Sequence, residues 1–376
     1  KAYLKKALTP FMSEADAEEG LEVLFAYTEK EQAFTEEEKH ALIEAIDKCK
    51  ILDPACGSGA FPMGILHKLE FALSKLDRNN LLWRDRQIKK VDATITAAEE
   101  IDDVSIRDNT ILELEEQKRD IEEAFRNNEL GYGRKLYLIE NCIYGIDIQA
   151  IATQVSRLRF FISLIVDQKA DPDKDNFGIR PLPNLETEFV AADTLIHIEK
   201  PENQLNLFNS KEVQDLEKKL KLVRHKMFGA KTPRTKNKYR RMDKDLREQI
   251  AEELEANGWT NESARQLARW DPYDQNASSA FFDPEWMFDL EGFDILLGNP
   301  PYVSVEKFSG KAEQEYWKKT YHTYASRGDI YCFFYERGAE LLSTDGYLCY
   351  ITSNKWMRAG YGKGLRKFLS TDVDTK

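Results

Sequence analysis

The sequence predicts an α/β protein built on a mostly parallel sheet. Short apolar segments that end in Gly, Pro or Asp alternate with longer segments whose apolar residues recur at helical spacing. Along the chain the order is strand, helix, strand, helix, strand, polar insertion, strand, helix and strand. Such alternation is typical of parallel sheets connected by helices. The 42% apolar and 32% charged content fits a globular protein with long exposed helices.

The first half of the chain begins with a predicted N-terminal helical segment, residues 1–48. Ile51 and Leu52 then form a short buried strand, and Phe61–Leu69 a helix. The highly charged region of about residues 74–135 is predicted to be a helical insertion, because its apolar residues are sparse but helically spaced. The second strand is Ile143–Ile148, and the apolar segment "AIATQVSRLRFFISLIV" after it is a helix.

The second half supplies the remaining strands. A third short strand ends at Asp193, and a polar, basic insertion covers about residues 200–280. The stretch "FDILLGNPPYV" is a strand that runs into a loop, because two prolines cannot donate ladder hydrogen bonds. A helix, "GDIYCFFYERGAELL", and a strand, "GYLCYITS", follow. We expect residues 49–376 to form one catalytic domain with a five-strand core and an exposed edge strand.

Composition excludes several classes of protein. The five cysteines form no close CxxC pair, which favours reduced thiols in a cytoplasmic protein over a disulfide framework or a zinc site. No run of 18 or more apolar residues is present, so we expect no membrane span, and the N-terminus lacks the apolar core of a secretory signal. The five histidines show no spacing typical of metal ligands.

The net charge of −12 by itself disfavours a nucleic-acid partner, but the charge is unevenly distributed. Residues 211–247 carry 14 Lys and Arg against 5 Asp and Glu. Two interpretations stay open for this segment: a solvated helical hairpin, or an arm that follows a phosphate backbone.

Polar or glycine-rich sequences follow three of the predicted strands. "DPACGSG", Asp53 to Gly59, follows the first strand and precedes a helix, whose free N–H groups would face this loop. Asp147 ends the second strand, where a carboxylate can accept two ribose hydroxyls. Asp193 ends the third, where it can accept from the amine of an adenine ring. Together they predict a nucleoside-type ligand at the carboxyl edge of the sheet.

These motifs, "LDPACGSGAF", "YGIDIQ", "VAADTL" and "LGNPPYV", resemble in order those of amino-group DNA methyltransferases that use S-adenosylmethionine. The similarity is strongest to the adenine-N6 methylase region of Eco57I-like restriction–modification enzymes, and "ITSNKWMRAGYGKGLRKFL" resembles that family's next segment. It runs from about Ile51 to Leu369 and covers the two insertions only loosely. It implies a Rossmann-like methyltransferase fold, here with helical insertions and apparently truncated before the last strands.

The resemblance also implies roles for individual residues. The loop of Asp53, Pro54, Ala55, Cys56, Gly57, Ser58 and Gly59 would cradle the methionine and ribose part of S-adenosylmethionine. Asp147 would bind the ribose hydroxyls, Ile148 would lie against the adenine ring, and Asp193 would accept from its amine. Asn299, Pro300, Pro301 and Tyr302 would form the catalytic loop. We interpret Cys56 as a small, space-filling residue.

The residues of the catalytic loop suit an adenine target, because the amine of adenine is a poor nucleophile that must be activated. The Asn299 side-chain oxygen and the Pro300 carbonyl can accept hydrogen bonds from its two N–H groups, and the Tyr302 ring can stack on the base. The target base must leave the double-stranded DNA. Cytosine carbon-5 methylation is disfavoured because the loop contains no nucleophilic Cys, and the glycine pattern is not that of a dehydrogenase.

Two other functions remain open. The same loop chemistry would serve methylation of a glutamine amide in a protein or of a base in RNA. A non-catalytic cofactor-binding scaffold is a third hypothesis, which the intact Asn299 disfavours. In the resembled family a target recognition domain follows the catalytic domain. We therefore expect this chain to be part of a longer protein that carries that domain, and possible nuclease activity, elsewhere, and to be marginally stable alone.

Overall fold

The predicted apolar segments form five strands, which pair in parallel in the order β3-β2-β1-β4-β5. The predicted parallel α/β class is therefore confirmed. The structure, a computed structural model, describes residues 1–374 except 29, 31–32, 100–106, 109–110, 113, 116–117, 120–121, 123–129, 174, 180–181, 201–209 and 231. The strands are β1 (Ile51–Asp53), β2 (Ile143–Asp147), β3 (Phe189–Ala191), β4 (Phe293–Gly298) and β5 (Leu342–Tyr350).

Strand β1 lies at the centre of the sheet, because Leu52 pairs with Tyr144 in β2 on one side and with Leu296 in β4 on the other. Strands β2 and β3 follow on one side of β1, and strands β4 and β5 follow on its other side. The strand order therefore reverses between β1 and β4. Open α/β sheets bind their ligands beyond the carboxyl ends of the strands at such a reversal.

Helices alternate with the strands along the chain. The helices with complete described spans are α1 (Ala2–Leu8), α2 (Glu14–Phe25), α3 (Glu36–Lys48), α4 (Ala60–Leu76), α5 (Leu81–Ala98), α6 (Leu130–Cys142), α7 (Ala150–Ile165), α8 (Lys211–Phe228), α9 (Pro233–Ala256), α10 (Asn261–Arg269), α11 (Pro284–Phe288), α12 (Ala312–Thr320), α13 (Tyr331–Leu341) and α14 (Lys363–Thr371).

Several predicted boundaries differ from the observed ones. The helix predicted at Phe61–Leu69 extends to Leu76, since its later turns keep apolar residues on the buried side. Strand β3 ends at Ala191, two residues before Asp193, and β2 ends before Ile148. In the first predicted insertion, about 74–135, α5 is helical as expected, whereas 100–106 and 123–129 are among the residues that are not described.

The chain divides into two compact units. The first contains Lys1–Cys49, Gly64–Cys142 and Phe161–Arg180, and the second contains Lys50–Met63, Ile143–Phe160 and Pro181–Lys376. All five strands belong to the second unit. The sequence predicts an N-terminal helical segment, residues 1–48, and a catalytic domain, residues 49–376. This division concerns function, and it stays a prediction.

The first unit is helical in its described parts. Helix α3 begins with a capping box, in which the Thr35 side chain accepts from the Glu38 N–H and the Glu38 carboxylate accepts from the Thr35 N–H. This arrangement satisfies two of the N–H groups that a helix start leaves free. Leu42, Ile43 and Ile46 then lie fully buried on one side of α3, as their helical spacing predicts.

Helices α8 and α9 form a helical hairpin within the second predicted insertion. Val213, Leu220 and Val223 of α8 are buried in the same apolar cluster as Leu52 and Val190 of the sheet. The hairpin interpretation is therefore correct, but one face of the hairpin packs on the sheet and only the other is solvated. Three charged residues form an ion-pair cluster inside the hairpin. Asp243 lies 3.0 Å from Arg224 and 2.7 Å from Arg247.

The turn of this hairpin lies beside the start of β3. The Asn184 side-chain amide, five residues before β3, donates to the carbonyls of Met227, Phe228 and Ala230 at 2.6, 3.2 and 3.3 Å. The amino ends of parallel strands lie at the sheet edge opposite to their carboxyl ends. The basic turn is therefore remote from the loops that follow the strands, which disfavours the phosphate-binding arm.

Candidate functional site

The glycine-rich loop follows β1 at the carboxyl edge. Asp53 is buried at the end of β1, and its Oδ1 accepts from the Ala55 N–H at 3.1 Å. Burial raises the pKa of the Asp53 carboxyl to about 7, and the nearby Asp147 carboxylate adds to the effect. Gly57 and Gly59 have φ angles of 55° and 79°, which residues with a side chain rarely adopt.

Helix α7 packs against this loop. The Ser156 hydroxyl donates to the Gly57 carbonyl at 2.9 Å, and an added Cβ at Gly59 would lie 2.9 Å from the Ser156 Oγ. Cys56 is buried in the loop, its N–H donates to the Ile146 carbonyl at 2.7 Å, and burial raises the pKa of its thiol. A neutral, enclosed thiol agrees with the space-filling role expected from the sequence.

Asp147 connects the loops after β1 and β2. Its Oδ2 accepts from the Gly57 N–H at 3.0 Å, and its Oδ1 accepts from the Gln149 N–H at 2.8 Å. The next side chain, Ile148, is 59% exposed although it is large and apolar. The pair thus presents a fixed carboxylate beside an open apolar surface, an arrangement that suits a ribose next to a flat aromatic ring.

Asp193 follows β3 in a turn that also contacts the glycine-rich loop. Its Oδ1 accepts from the Leu195 N–H at 3.0 Å, and burial raises the pKa of its carboxyl to about 6. The Thr194 hydroxyl donates to the Pro54 carbonyl at 2.7 Å. Asp193 is therefore held at the same sheet edge as Pro54.

The loop of Asn299 to Tyr302 follows β4 directly. Asn299 is exposed, Pro300 is buried and the Tyr302 side chain is 49% exposed. The Tyr302 hydroxyl donates to the Ile351 carbonyl at 3.0 Å, and its ring meets that of Tyr331 at 5.7 Å between centroids and 62° between planes. The tyrosine is thus fixed at both its hydroxyl and its ring edge.

Gly298 brings the β4 loop against the β1 loop. A Cβ added at Gly298 would lie 2.5 Å from the Asp53 Oδ1, so only glycine permits this approach. The predicted site residues therefore gather at one edge of the sheet, around the reversal of strand order. Among the other members of the glycine-rich loop, Pro54 is buried, and Ala55 and Ser58 are partly exposed; Pro301 in the β4 loop is also partly exposed.

Four residues near the site were missed by sequence reasoning: Ser156, Thr194, Tyr331 and Arg337. Arg337 is 5% exposed, and it donates from Nε to the Thr194 carbonyl and from Nη2 to the Phe282 carbonyl, each at 3.0 Å. These side chains act through contacts with residues far away in sequence, so no local spacing could have revealed them. Of the four, only Thr194 had a signal in the sequence, because it lies inside the "VAADTL" motif directly after the predicted site residue Asp193.

Comparison with known proteins identifies the family of the chain. The family model of the Eco57I restriction-modification methylase matches residues 141–376, more than half of the chain. The chain belongs to the Eco57I restriction-modification methylase family. The matched residues of this methylase family member include Asp147, Asp193 and the Asn299 loop, whereas the glycine-rich loop after β1 lies before the matched range.

Curated relatives cover different shares of the chain. A putative type II restriction enzyme and methyltransferase of Methanocaldococcus jannaschii is 24% identical over 395 residues, 90% of this chain and 29% of the relative. A type II restriction enzyme and methyltransferase of Escherichia coli is 38% identical over 87 residues, 22% of this chain and 9% of the relative. A type II methyltransferase of Geobacillus stearothermophilus is 41% identical over 84 residues, 22% of this chain and 15% of the relative. The chain spans under a third of the length of each.

Two structural findings concern the rest of the described chain. Within the described residues, no helix combines the length and apolar character needed to cross a bilayer. Across the same residues, no group of three or more His, Cys, Asp and Glu side chains is arranged to hold a metal ion.

Proposed function

We propose that this chain transfers a methyl group from S-adenosylmethionine to the N6 amine of an adenine in double-stranded DNA, as the modification part of a cytoplasmic restriction–modification system. The approach of Gly298 to Asp53, where an added Cβ would lie 2.5 Å from Oδ1, carries the proposal. It joins the Asn299–Tyr302 loop to the glycine-rich loop, so a target amine and a cofactor would meet between β1 and β4. The similarity to a type II restriction enzyme and methyltransferase and to a type II methyltransferase supports a DNA target.

The residues at the sheet edge fit S-adenosylmethionine. Asp147 would accept from the ribose hydroxyls, Ile148 would cover the adenine ring with its exposed side chain, and Asp193 would accept from the adenine amine. Apart from its two chain neighbours, no described residue has an atom within 4 Å of a Cβ added at Gly57, which leaves room for a ligand to approach the backbone there. When bound, S-adenosylmethionine would supply a methyl group on a sulfonium: the N–C bond to the target amine would form as the C–S bond breaks, so that a neutral thioether leaves and no covalent enzyme intermediate is needed.

The catalytic loop would prepare the target amine. The nitrogen lone pair of adenine is delocalised into the ring, so the amine is a weak nucleophile. Hydrogen bonds from its two N–H groups to the Asn299 side-chain oxygen and the Pro300 carbonyl favour a pyramidal nitrogen with a more available lone pair. The two prolines and the hydrogen bond from Tyr302 to Ile351 hold these acceptors in place, which lowers the reorganisation needed during reaction.

Tyr302 would receive the flipped base. Its ring is half-exposed and is held edge-on by Tyr331. Stacking of a base on an aromatic ring contributes about 1–3 kcal/mol, which offsets part of the few kcal/mol that unstacking the base costs. A recognition domain or a nuclease in the same full-length protein is also part of this proposal, since two of the relatives are named as both restriction enzyme and methyltransferase.

The test is nucleoside mass spectrometry of DNA from a methylation-free host that expresses the gene. Wild type should produce N6-methyladenine, and Asn299→Ala should abolish it at equal protein level. Asn237→Ala, which removes an exposed amide from the hairpin helix α9, is the matched control and should leave the modification unchanged.

A different result would redirect the proposal. If wild type binds S-adenosylmethionine but leaves host DNA unmodified, the acceptor is a base in RNA or a glutamine amide in a protein, or the chain is a non-catalytic cofactor-binding scaffold. Persistence of N6-methyladenine with Asn299→Ala would remove the assigned role of the loop.

A further inference from the structure

One segment near the catalytic loop has basic but no acidic residues. Residues 351–371 contain five Lys and Arg and no Asp or Glu, in a chain whose net charge is −12. We call residues 351–371 the basic segment. Its cations are Lys355, Arg358, Lys363, Arg366 and Lys367. None of these five side chains takes part in the catalytic chemistry proposed for the Asn299–Tyr302 loop.

The basic segment begins in direct contact with the catalytic loop. The Ile351 N–H donates to the Gly298 carbonyl at 3.0 Å, and the Ile351 carbonyl accepts from the Tyr302 hydroxyl, also at 3.0 Å. Further along, the Tyr361 hydroxyl lies 3.0 Å from the hydroxyl of Tyr331, whose ring packs on Tyr302. The segment therefore borders the place where the target base would enter.

Internal hydrogen bonds fix the backbone of this segment. Arg366, which is partly buried, donates from Nη1 to the Trp356 carbonyl and, at 3.0 Å, to the Ala359 carbonyl. The Ser353 hydroxyl accepts from the Lys355 N–H at 3.3 Å, which starts a short helical turn. Arg366 thus has a structural task, and the cations on either side of it project from a defined backbone.

The other four cations are exposed. Lys355, Arg358, Lys363 and Lys367 form no ion pair with any carboxylate in the described part of the chain. Many exposed lysines elsewhere do form one, such as Lys48 with Glu44 at 2.6 Å. Four uncompensated positive charges in one segment repel one another, so their arrangement favours binding to a polyanion.

We propose that Lys355, Arg358, Lys363 and Lys367 bind the phosphates of the DNA strand that flank the flipped adenine. This inference rests on the proposed function and adds the surface that holds the strand during base extrusion. Extrusion turns one nucleotide out about its backbone, and contacts to the neighbouring phosphates keep that backbone in place. The contacts carry no sequence information, which agrees with recognition by another part of the protein.

The hairpin helix α9 provides a matched comparison surface. Arg234, Lys238 and Arg241 recur at helical spacing, are exposed, and form no ion pair among the residues that the structure describes. The hairpin turn, however, lies beside the amino end of β3, away from the catalytic loop. If net charge alone governs DNA affinity, these residues should matter as much as the basic segment.

The experiment measures DNA affinity against salt concentration with the protein at its full natural length. One variant combines Lys355→Gln, Arg358→Gln, Lys363→Gln and Lys367→Gln. The control, with the same change in charge, combines Arg234→Gln, Lys236→Gln, Lys238→Gln and Arg241→Gln, all in the first part of α9 near the hairpin turn. The probes are a DNA duplex that the wild-type enzyme methylates and an RNA duplex of equal length. S-adenosylmethionine affinity is measured in parallel.

We expect the four substitutions in the basic segment to lower the slope of log affinity against log salt by about 0.9 for each lost phosphate contact, up to about 3.6. DNA affinity in 50 mM salt should fall by roughly 100-fold or more relative to wild type, and cofactor affinity should not change. The control variant should retain the wild-type slope.

Other outcomes overturn the inference in distinguishable ways. An equal loss in both variants would show an effect of net charge, and an unchanged slope in the basic-segment variant would show that it makes no phosphate contacts. Tighter wild-type binding to the RNA duplex would replace DNA as the partner. Failure of wild type to bind or methylate DNA, with cofactor affinity intact, would refute the proposed function itself.

Discussion

The Thr194 hydroxyl donates a 2.7 Å hydrogen bond to the Pro54 carbonyl, and both residues are buried. This contact joins the loop after β3 to the loop after β1, although β2 lies between these strands. Arg337 binds the Thr194 carbonyl from the other side at 3.0 Å. Helix α13 therefore positions, through Thr194, the two loops that would hold opposite ends of the cofactor.

Thr194→Val should weaken cofactor binding as well as lower stability. The substitution keeps the shape of the side chain but leaves the Pro54 carbonyl without its donor. An unpaired buried polar group costs about 1–3 kcal/mol in the free energy of unfolding, and displacement of the glycine-rich loop that contains Pro54 should raise the dissociation constant for S-adenosylmethionine. Calorimetry with the purified protein measures this constant. Thr194→Ser, which keeps the hydroxyl, should restore most of the affinity.

Thr323→Val is the matched control for this prediction. Thr323 is 1% exposed, and its hydroxyl has no hydrogen-bond partner among the described residues. Its loss should therefore leave cofactor affinity unchanged. If Thr194→Val binds the cofactor as wild type does while unfolding at a lower temperature, Thr194 only supports the fold and does not position the site.

Gly298→Ala should destabilise the sheet at the site. The new methyl group would lie 2.5 Å from the Asp53 Oδ1, so β1 and β4 would have to separate or Asp53 would have to move. Overpacking of this kind costs about 1–3 kcal/mol in the free energy of unfolding, measured with urea. Gly64→Ala in helix α4 is the control, because outside the backbone of its own helix no described residue comes within 4 Å of its added Cβ. It should stabilise by about 0.5–1 kcal/mol.

The strands could be predicted from the sequence because their signals are local. Apolar residues followed directly by Asp53-Pro54, Asp147 or Asn299-Pro300 define both a strand and the loop after it. The boundaries were less accurate where the signal is weak. Strand β3 ends at Ala191 instead of Asp193, because the turn that positions Asp193 starts earlier than the apolar run suggests.

The contacts that assemble the site could not be predicted. Thr194 lies 140 residues from Pro54, and Ser156 lies 99 residues from Gly57. Sequence spacing carries no information about such pairs when the two insertions have unknown paths. The packing of the α8–α9 hairpin was hidden for a different reason. Its buried residues, such as Val213 and Leu220, are widely spaced among charges, so the segment looks polar overall.

The stability of the protein should depend on the ionisation of Asp53. Burial raises the pKa of this carboxyl to about 7 in the folded protein, whereas an unfolded Asp has a pKa of about 3.9. Between these values the folded state binds more protons than the unfolded state. This contribution to stability is therefore complete below about pH 4 and is lost as the pH rises through about 7.

Urea unfolding at several pH values from about 5 to 8 measures this dependence. Asp53→Asn, which cannot ionise, should show a smaller decline in stability with rising pH than wild type. Asp193→Asn is the comparison, because burial raises the pKa of Asp193 only to about 6. The decline above about pH 6.5 should therefore persist in Asp193→Asn and disappear in Asp53→Asn. Parallel curves for wild type and Asp53→Asn would contradict the assignment.

The Asp243 cluster should govern the stability of the α8–α9 hairpin. Asp243 is fully buried between Arg224 and Arg247. Asp243→Ala therefore removes the carboxylate that pairs with Arg224 and, among the described carboxylates, leaves Arg247 with only its 3.8 Å contact to Asp271. Loss of one partner from a buried ion pair costs about 3–5 kcal/mol, and urea unfolding should show a decrease of that size. Asp245→Ala, at an exposed position of the same helix, should change stability by less than about 0.5 kcal/mol. Under conditions where both variants are folded, they should bind S-adenosylmethionine as wild type does, since the hairpin turn lies beside the amino end of β3. A loss of cofactor affinity confined to Asp243→Ala would show instead that the hairpin shapes the catalytic edge.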